Sequence, residues 1–463
     1  MRLKKTTYSM IFIFILMMLI RPIKINAINV IEDTVQINDF SHYTQKNFNY
    51  NGEGNFFIRK IESKQTFKYW TGFYLPGESG TLSYFDDNKQ LITIPLKDGA
   101  LPKDRVLFLS TDKYNQILGQ GYTYKNLGNG TVESESSLPI NIKKVGSSYL
   151  VNYSYELTDS SFGILWGVGS KNILVDLNQP NLNLIWRNYD LDKEARILFD
   201  GYHYKSPLSY RPYTPKSYWR IPSSYVTNSL IKTGGSLASD ILGNALLQIE
   251  SKNIVPEGFL PTLPKSTWLY NDYGIEAGFF DTRFNADTIE TNIIAWRKYR
   301  EPLYRENYLR LSNYYVSHAE KNHYALFDIK GNEGWLVDDY YYPRTKNTHV
   351  SLNHQLQAIH IFYMLYETEK DIKYLNIADK MLTGIKATRD KWIMADGNLI
   401  YAYLPDGNMG LDDYPYLTYN DLLDVQHDLQ RIKGMKDPDI EILIKTKKLW
   451  IDTNNINGYN PAF

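Results

Sequence analysis

The 463-residue chain has no cysteine. That excludes disulfides, thiolate metal sites, a cysteine nucleophile and a lipid anchor carried on cysteine. It has no charge imbalance either: 51 Lys plus Arg offset 51 Asp plus Glu. A neutral chain without a basic run gives no basis for a nucleic-acid partner. Histidine is scarce, at 8 residues, and no HExxH, EF-hand loop, P-loop or strand-to-helix GxGxxG is present. The pairs His349/His354 and His354/His360 lack same-face i, i+4 spacing. Neither a metal nor a cofactor is called for. Long apolar runs are also missing, with one exception at the N-terminus.

That exception reads as a secretory leader over residues 1–27. Arg2, Lys4 and Lys5 supply the positive end, residues 8–20 the apolar stretch, and Ile25-Asn26-Ala27 an imperfect cleavage site. The apolar stretch is short for a membrane span. The expectation is a secreted or extracytoplasmic protein of a bacterial envelope, with no membrane contact beyond the leader.

What is abundant is tyrosine, at 39 residues, with 19 Phe and 9 Trp. Aromatic rings with polar edges match the two surfaces of a sugar, and they also fill half-buried packing positions. Residues 28–211 read as short β-branched and aromatic strands between turns such as Pro76–Gly80 and Gly128–Gly130. Among them are 56–61, 67–75, 149–157, 173–177, 182–186 and 196–204. This predicts an antiparallel β-sandwich or barrel-like domain. It serves as packing, as one wall of a cleft, or as a glycan binder through its aromatic side chains. Prolines 207, 212, 215 and 222 then interrupt the chain, and a domain boundary is expected near 212. From there to 463 the period is helical, with helices expected at 223–233, 236–251, 285–300, 303–322, 350–368, 372–390, 417–433 and 439–451. Paired helices with longer loops on one side predict an α/α toroid-type domain carrying its site on those loops.

Three loops concentrate polar chemistry: 261–283, 331–349 and 390–416. The middle one holds Asp338, Asp339, Tyr340, Tyr341, Tyr342, Arg344, Lys346, Asn347 and His349 and runs into a helix beginning near Val350. On that helix Asn353, Gln357 and His360 form a polar stripe, either a cleft wall or a solvated face. His354 lies beside it. In the first loop Asp281, Arg283 and Asp287 either contact substrate or cap and brace the next helix. The third loop carries Tyr401, Asp413 and Tyr414.

The order Asp338-Asp339, Tyr340 to Pro343, Val350 to Asn353, then Gly397 to Tyr401, Asp413-Tyr414 and Asn420-Asp421-Leu422 resembles the C-terminal domain of the D-glucuronyl C5-epimerases. The resemblance covers residues 334–432. It implies inversion at C5 of glucuronic acid within an acidic polysaccharide, by removal and return of a proton next to a carboxylate. It implies acid/base roles for Tyr401 and Tyr414, with Asp339 and one of the tyrosines Tyr340 to Tyr342 completing the set. Tyr340 and Tyr342 are carried forward. The family has arginine where this chain has Leu404. Carboxylate neutralisation then falls to Arg344, Lys346, His349, Asn353 or His354, with Arg283 and Asp413 as further contacts. A lyase would share the carbanion, a glycoside hydrolase would use a carboxylate pair such as Asp339 with Asp413, and a non-catalytic glycan binder would need neither. Any of the enzyme readings requires Tyr401, Tyr414 and Asp339 within a sugar's length of one another. A homodimer is compatible with the composition.

Overall fold

A computed structural model describes residues 28–191 and 195–456. The expected leader lies outside the described residues. Among those described, no helix is long and apolar enough to cross a membrane.

The first part is antiparallel β-structure. The spine of a 13-stranded sheet is Ser161–Ser170. It takes Gly54–Ser63 on one side, and on the other Tyr122–Gly128 along its first half and Asn115–Leu118 along its second. A second sheet of four strands is built on Phe67–Pro76 and Ser148–Leu157, paired over their whole length. Apolar side chains from both sheets, including Ile61, Leu75, Val151, Tyr153, Tyr155 and Leu165, form one core between them. Alternation along Ser148–Leu157 puts Val151, Tyr153 and Tyr155 into that core, as period-2 patterning requires.

One stretch read as a strand is a helix. Residues 182–186 lie inside α1, Pro180–Leu191. Proline suits the first helical position, and Leu182, Ile185, Trp186 and Tyr189 repeat at helical spacing. Residues 173–177 form no strand.

Among the described residues nine further α-helices follow: α2 Tyr225–Lys232, α3 Leu237–Ser251, α4 Thr267–Tyr273, α5 Thr282–Tyr299, α6 Pro302–Lys321, α7 Leu352–Glu369, α8 Ile372–Ala387, α9 Leu417–Lys433 and α10 Pro438–Thr453. Their starts are written in the sequence. Ser224, Ser236, Ser266, Asp281, Asp371 and Asp437 each accept a backbone N–H as N-cap. Helices α2–α3, α5–α6, α7–α8 and α9–α10 pack as hairpins. The first member of each touches the next, α2 on α5, α5 on α7 and α7 on α9, so four hairpins make an arc with an inner row.

The seam near residue 212 is not bare. Helix α3 packs on Gly54–Ser63, Ser161–Ser170 and Gly201–Lys205. Its Ile241, Leu242 and Leu246 share one apolar cluster with Phe56, Trp166 and Tyr202 of the large sheet. A cavity of about 690 Å³ lies on the inner side of the arc. Its wall comes from α1, α2, α5, α7 and α9.

Candidate functional site

The inner helices α5, α7 and α9 begin close together, and the three polar loops meet there. The strand Phe279–Asp281 pairs with Tyr340–Tyr341, so Asp281 lies opposite Tyr340. Val350–Ser351 pairs with Ile400–Tyr403, which sets Ser351 beside Tyr401 and Ala402. These two pairings gather residues that are up to 120 positions apart in the chain.

At the centre is Asp339, fully buried. Both its oxygens accept the Ser351 backbone N–H at 3.0 Å, and Oδ2 accepts the Ser351 hydroxyl at 2.5 Å. Burial pushes its carboxyl well above the usual range, against the pull of the Ser351 hydrogen bonds. Ser351 sits on the strand beside Tyr401 and bears on its phenol, and Tyr401 bears on that of Tyr414. The two tyrosine rings meet edge to face at 5.7 Å. A chain of contacts therefore runs from Tyr414, which is 48% exposed, through Tyr401 and Ser351 to Asp339. Burial raises the phenol of Tyr401 well above its ordinary value, and that of Tyr414 as well.

The surroundings are neutral. His349 Nε2 lies 3.5 Å from Asp339 Oδ2, and its Nδ1 is 2.9 Å from the Tyr273 hydroxyl. Burial lowers the His349 ring to about 4. His354 is lowered further, by burial first and then by Arg283, and its Nδ1 is 2.8 Å from Thr282 Oγ1. Asp281 caps α5 through Phe284 N–H at 3.0 Å, and burial pushes its carboxyl up to about 7. Its charge also bears on Tyr340, Tyr401 and Tyr414. The sequence offers Asp281 as a helix cap or a substrate contact. It is the cap, and it also faces the tyrosine cluster.

The structure separates the three consecutive tyrosines. Tyr340 is buried, packs its ring against His349 and His354, and has its phenol raised by burial and then by Tyr401. Tyr341 packs edge-on to His318. Tyr342 packs beside Leu269 and Ile275.

Other candidates lie elsewhere or are already engaged. Arg344 and Lys346 sit exposed on the loop, Arg344 with φ +67°. Asp413 is buried in an ion pair with Lys447 at 2.8 Å and accepts the Thr418 hydroxyl at 2.5 Å. Lys447 also donates to the Tyr414 carbonyl at 2.7 Å, so Asp413 anchors the loop bearing Tyr414. It is not available as the partner of Asp339 in a hydrolytic pair. Arg283 lines the large cavity and is shared between Asp421, at 2.6 and 3.2 Å, and Asp287, at 3.0 Å. It also donates to the Asn353 carbonyl at 3.1 Å. Burial pushes Asp287 up to about 7 and Asp421 up to about 6, in spite of that arginine.

The polar stripe of α7 is a wall of the arc's interior. Gln357 lines the cavity and donates to Glu290 at 2.9 Å. His360 pairs with Asp428 at 2.6 Å and is raised to about 9: burial, its largest influence, opposes this, and the carboxylates of Asp428 and Glu290 prevail. Among the described residues no group of three or more His, Asp or Glu is arranged to hold a metal ion. Sequence reasoning passed over Ser351, the link between Tyr401 and Asp339. Its position just ahead of the α7 apolar pattern marks a helix cap, but its hydroxyl serves Asp339 and makes no cap hydrogen bond.

No family model matches the chain, and no curated protein matches it in sequence. In structure it is similar to a family 76 glycoside hydrolase from a bovine Bacteroides thetaiotaomicron strain, at 10% identity and TM-score 0.42, covering 87% of this chain and 76% of that one. It is similar to a family 76 α-mannanase from Bacteroides thetaiotaomicron, at 12% identity and TM-score 0.35, covering 49% of this chain. The chain spans 58% of that mannanase's length. A cellobiose 2-epimerase from Spirochaeta thermophila matches at 14% identity and TM-score 0.32, over 44% of this chain and 49% of its own. By name all three act on carbohydrates, and none is a glucuronyl C5-epimerase. Likeness at this level assigns no activity to the present chain.

Proposed function

We propose that the protein is an exported carbohydrate-active enzyme that removes and returns the C5 proton of uronic acid residues in a polysaccharide. The observation that carries this reading is the contact chain Tyr414–Tyr401–Ser351–Asp339. It ends in a buried carboxyl whose environment favours holding a proton.

The hydrogen on C5 of a uronate is a very weak acid, so a base must be placed on it and its counter-charge stabilised. With Asp339 ionised, Tyr401 passes its hydroxyl proton to Ser351, which passes its own to Asp339. The Tyr401 phenolate then takes the C5 proton, and the electron pair moves into the carboxylate as an enediolate. With the sugar between the two rings, Tyr414 delivers a proton to the opposite face, and the proton held on Asp339 returns through Ser351 and Tyr401 to restore the Tyr414 phenol once product leaves. Tyr340 packs the floor. The family arginine replaced by Leu404 has a substitute in Arg283, whose charge reaches Tyr414. Protonation of Asp287 or Asp421, both held near neutrality, frees that guanidinium for the substrate carboxylate.

A second reading is favoured by Asp281. A carboxyl held at about 7 beside two tyrosines suits protonation of a glycosidic oxygen, which gives a lyase or hydrolase outcome on the same scaffold.

Incubating the full chain with glucuronic-acid polymers in deuterated water separates these readings. Deuterium at C5 without cleavage, lost in Tyr401→Phe, is the expected result. Unsaturated uronate ends would replace it with a lyase, and new reducing ends alone with a hydrolase.

A further inference from the structure

The four-stranded sheet has an outer face that the reaction above does not use. Along Phe67–Pro76, the residues Phe67, Tyr69, Thr71 and Phe73 are half-buried and point inward, with Phe73 stacked on Tyr153. The alternate residues Lys68, Trp70, Gly72 and Tyr74 point outward. Trp70 is 60% exposed and Tyr74 61%. Burying such rings is worth a great deal, and leaving two of them in water on one strand is unusual.

Behind the rings the face is polar. Ser154 lies opposite Trp70, Asn152 opposite Gly72 and Leu150 opposite Tyr74. On the next strand, Asn141 lies opposite Asn152 and Lys143 opposite Leu150. Gly72 lets Asn152 lie between the rings: a Cβ there would stand 2.4 Å from the Val151 carbonyl oxygen and 2.7 Å from Asn152 Oδ1, so the carboxamide lies over the glycine. Lys68 is committed to Glu156, at 2.6 Å, and sits over the Trp70 ring. Lys143 is exposed.

We propose that this face is a second glycan-binding surface, holding the acidic polysaccharide by stacking sugars on Trp70 and Tyr74. The proposal rests on the substrate class argued above. Four residues of strand set the rings about 13 Å apart, at a rise of roughly 3.3 Å per residue, so they meet different sugars of one chain. The C–H faces of the sugars lie on the rings, their hydroxyls meet Asn152 and Asn141, and a carboxylate meets Lys143. A second copy of this chain fits the face less well. A stable dimer buries about 800 Å² per partner around a contiguous apolar core. Here the apolar groups besides the two rings are Leu150, Val145, Pro76 and Ala100, set among Gly, Ser, Asn, Lys and Glu.

The surface raises the local concentration of polymer at the site without touching the reaction. The test is retardation of the full chain in gels containing a glucuronic-acid polymer, alongside turnover on that polymer and on a short oligosaccharide. In W70A/Y74A we expect retardation to vanish and KM for the polymer to rise about tenfold, with oligosaccharide turnover unchanged. Tyr401→Phe should keep its retardation. An unchanged thermal transition in W70A/Y74A separates this from misfolding. Retardation that survives W70A/Y74A overturns the surface, as does turnover with no retardation in the unaltered chain. A drop from dimer to monomer in W70A/Y74A also overturns it, by making the face a self-interface. Retardation without turnover leaves the surface standing and removes the catalytic reading.

Discussion

At the scale of single residues, the site depends on Ser351. It is small and does not titrate; its hydroxyl donates to Asp339, and it lies on the strand beside Tyr401 and Ala402. Removing its hydroxyl leaves Asp339 its two contacts with the Ser351 backbone N–H, so the loop keeps its shape. Ser351→Ala should therefore lower kcat by roughly 10²–10³ through loss of the proton path, with KM little changed. Ser351→Thr should retain much of the rate. Equal losses in Ala and Thr, or a rise in KM alone, would count against a relay. Sequence gave no direct sign of this residue, because a serine ahead of a helix is explained well enough by capping. Motif order names Tyr401, Tyr414 and Asp339 as candidates and leaves Tyr340 and Tyr342 open; the pairing to Phe279–Asp281, which no local signal announces, puts Tyr340 opposite Asp281.

At the scale of elements, Asp339 is aimed by the strand that precedes it. Glu333–Val337 lies against α8, and the two backbones touch where glycine faces glycine. A Cβ on Gly384 would meet the Trp335 carbonyl oxygen at 2.4 Å, and one on Gly334 would meet the Gly384 nitrogen at 2.3 Å. These neighbours are backbone and cannot swing aside. Gly384→Ala should push the strand off α8, costing about 1–3 kcal/mol by urea unfolding. Activity should fall with it, since Asp338 and Asp339 follow directly. Loss of stability with full activity retained would mean the loop is aimed by other contacts, such as Thr282 on the Asp339 carbonyl. Helices were the best-read elements here because caps and apolar spacing are local signals. The strand misread over residues 182–186 shows the limit: a short apolar run fits both periods until Pro180 is taken as a helix start.

At the scale of the whole molecule, the β-part and the helical arc meet through α3, and Glu250 is buried near the end of that helix. The proline-rich stretch around 212 pointed to a boundary, but composition says nothing of what packs across it. Burial raises the Glu250 carboxyl to about 8, with only the nearby Thr227 hydroxyl drawing it down. The folded state thus holds this proton more tightly than the unfolded chain, whose carboxyl has its ordinary value of 4.5. The associated stability is fully present below about pH 4.5 and is lost as pH rises through about 8. Gln copies the protonated form and cannot ionise. Glu250→Gln should match the unaltered chain near pH 4.5 and exceed it increasingly up to pH 8, by on the order of 3 kcal/mol. Asp281, Asp287 and Asp338 titrate in the same window, each pushed up to about 7, but they are common to both chains and cancel in the difference. Unfolding curves at pH 5 and pH 8.5 for the two chains read it directly. A constant offset between them would mean that Glu250 reaches water in the folded state and that α3 is less tightly packed than its apolar contacts indicate.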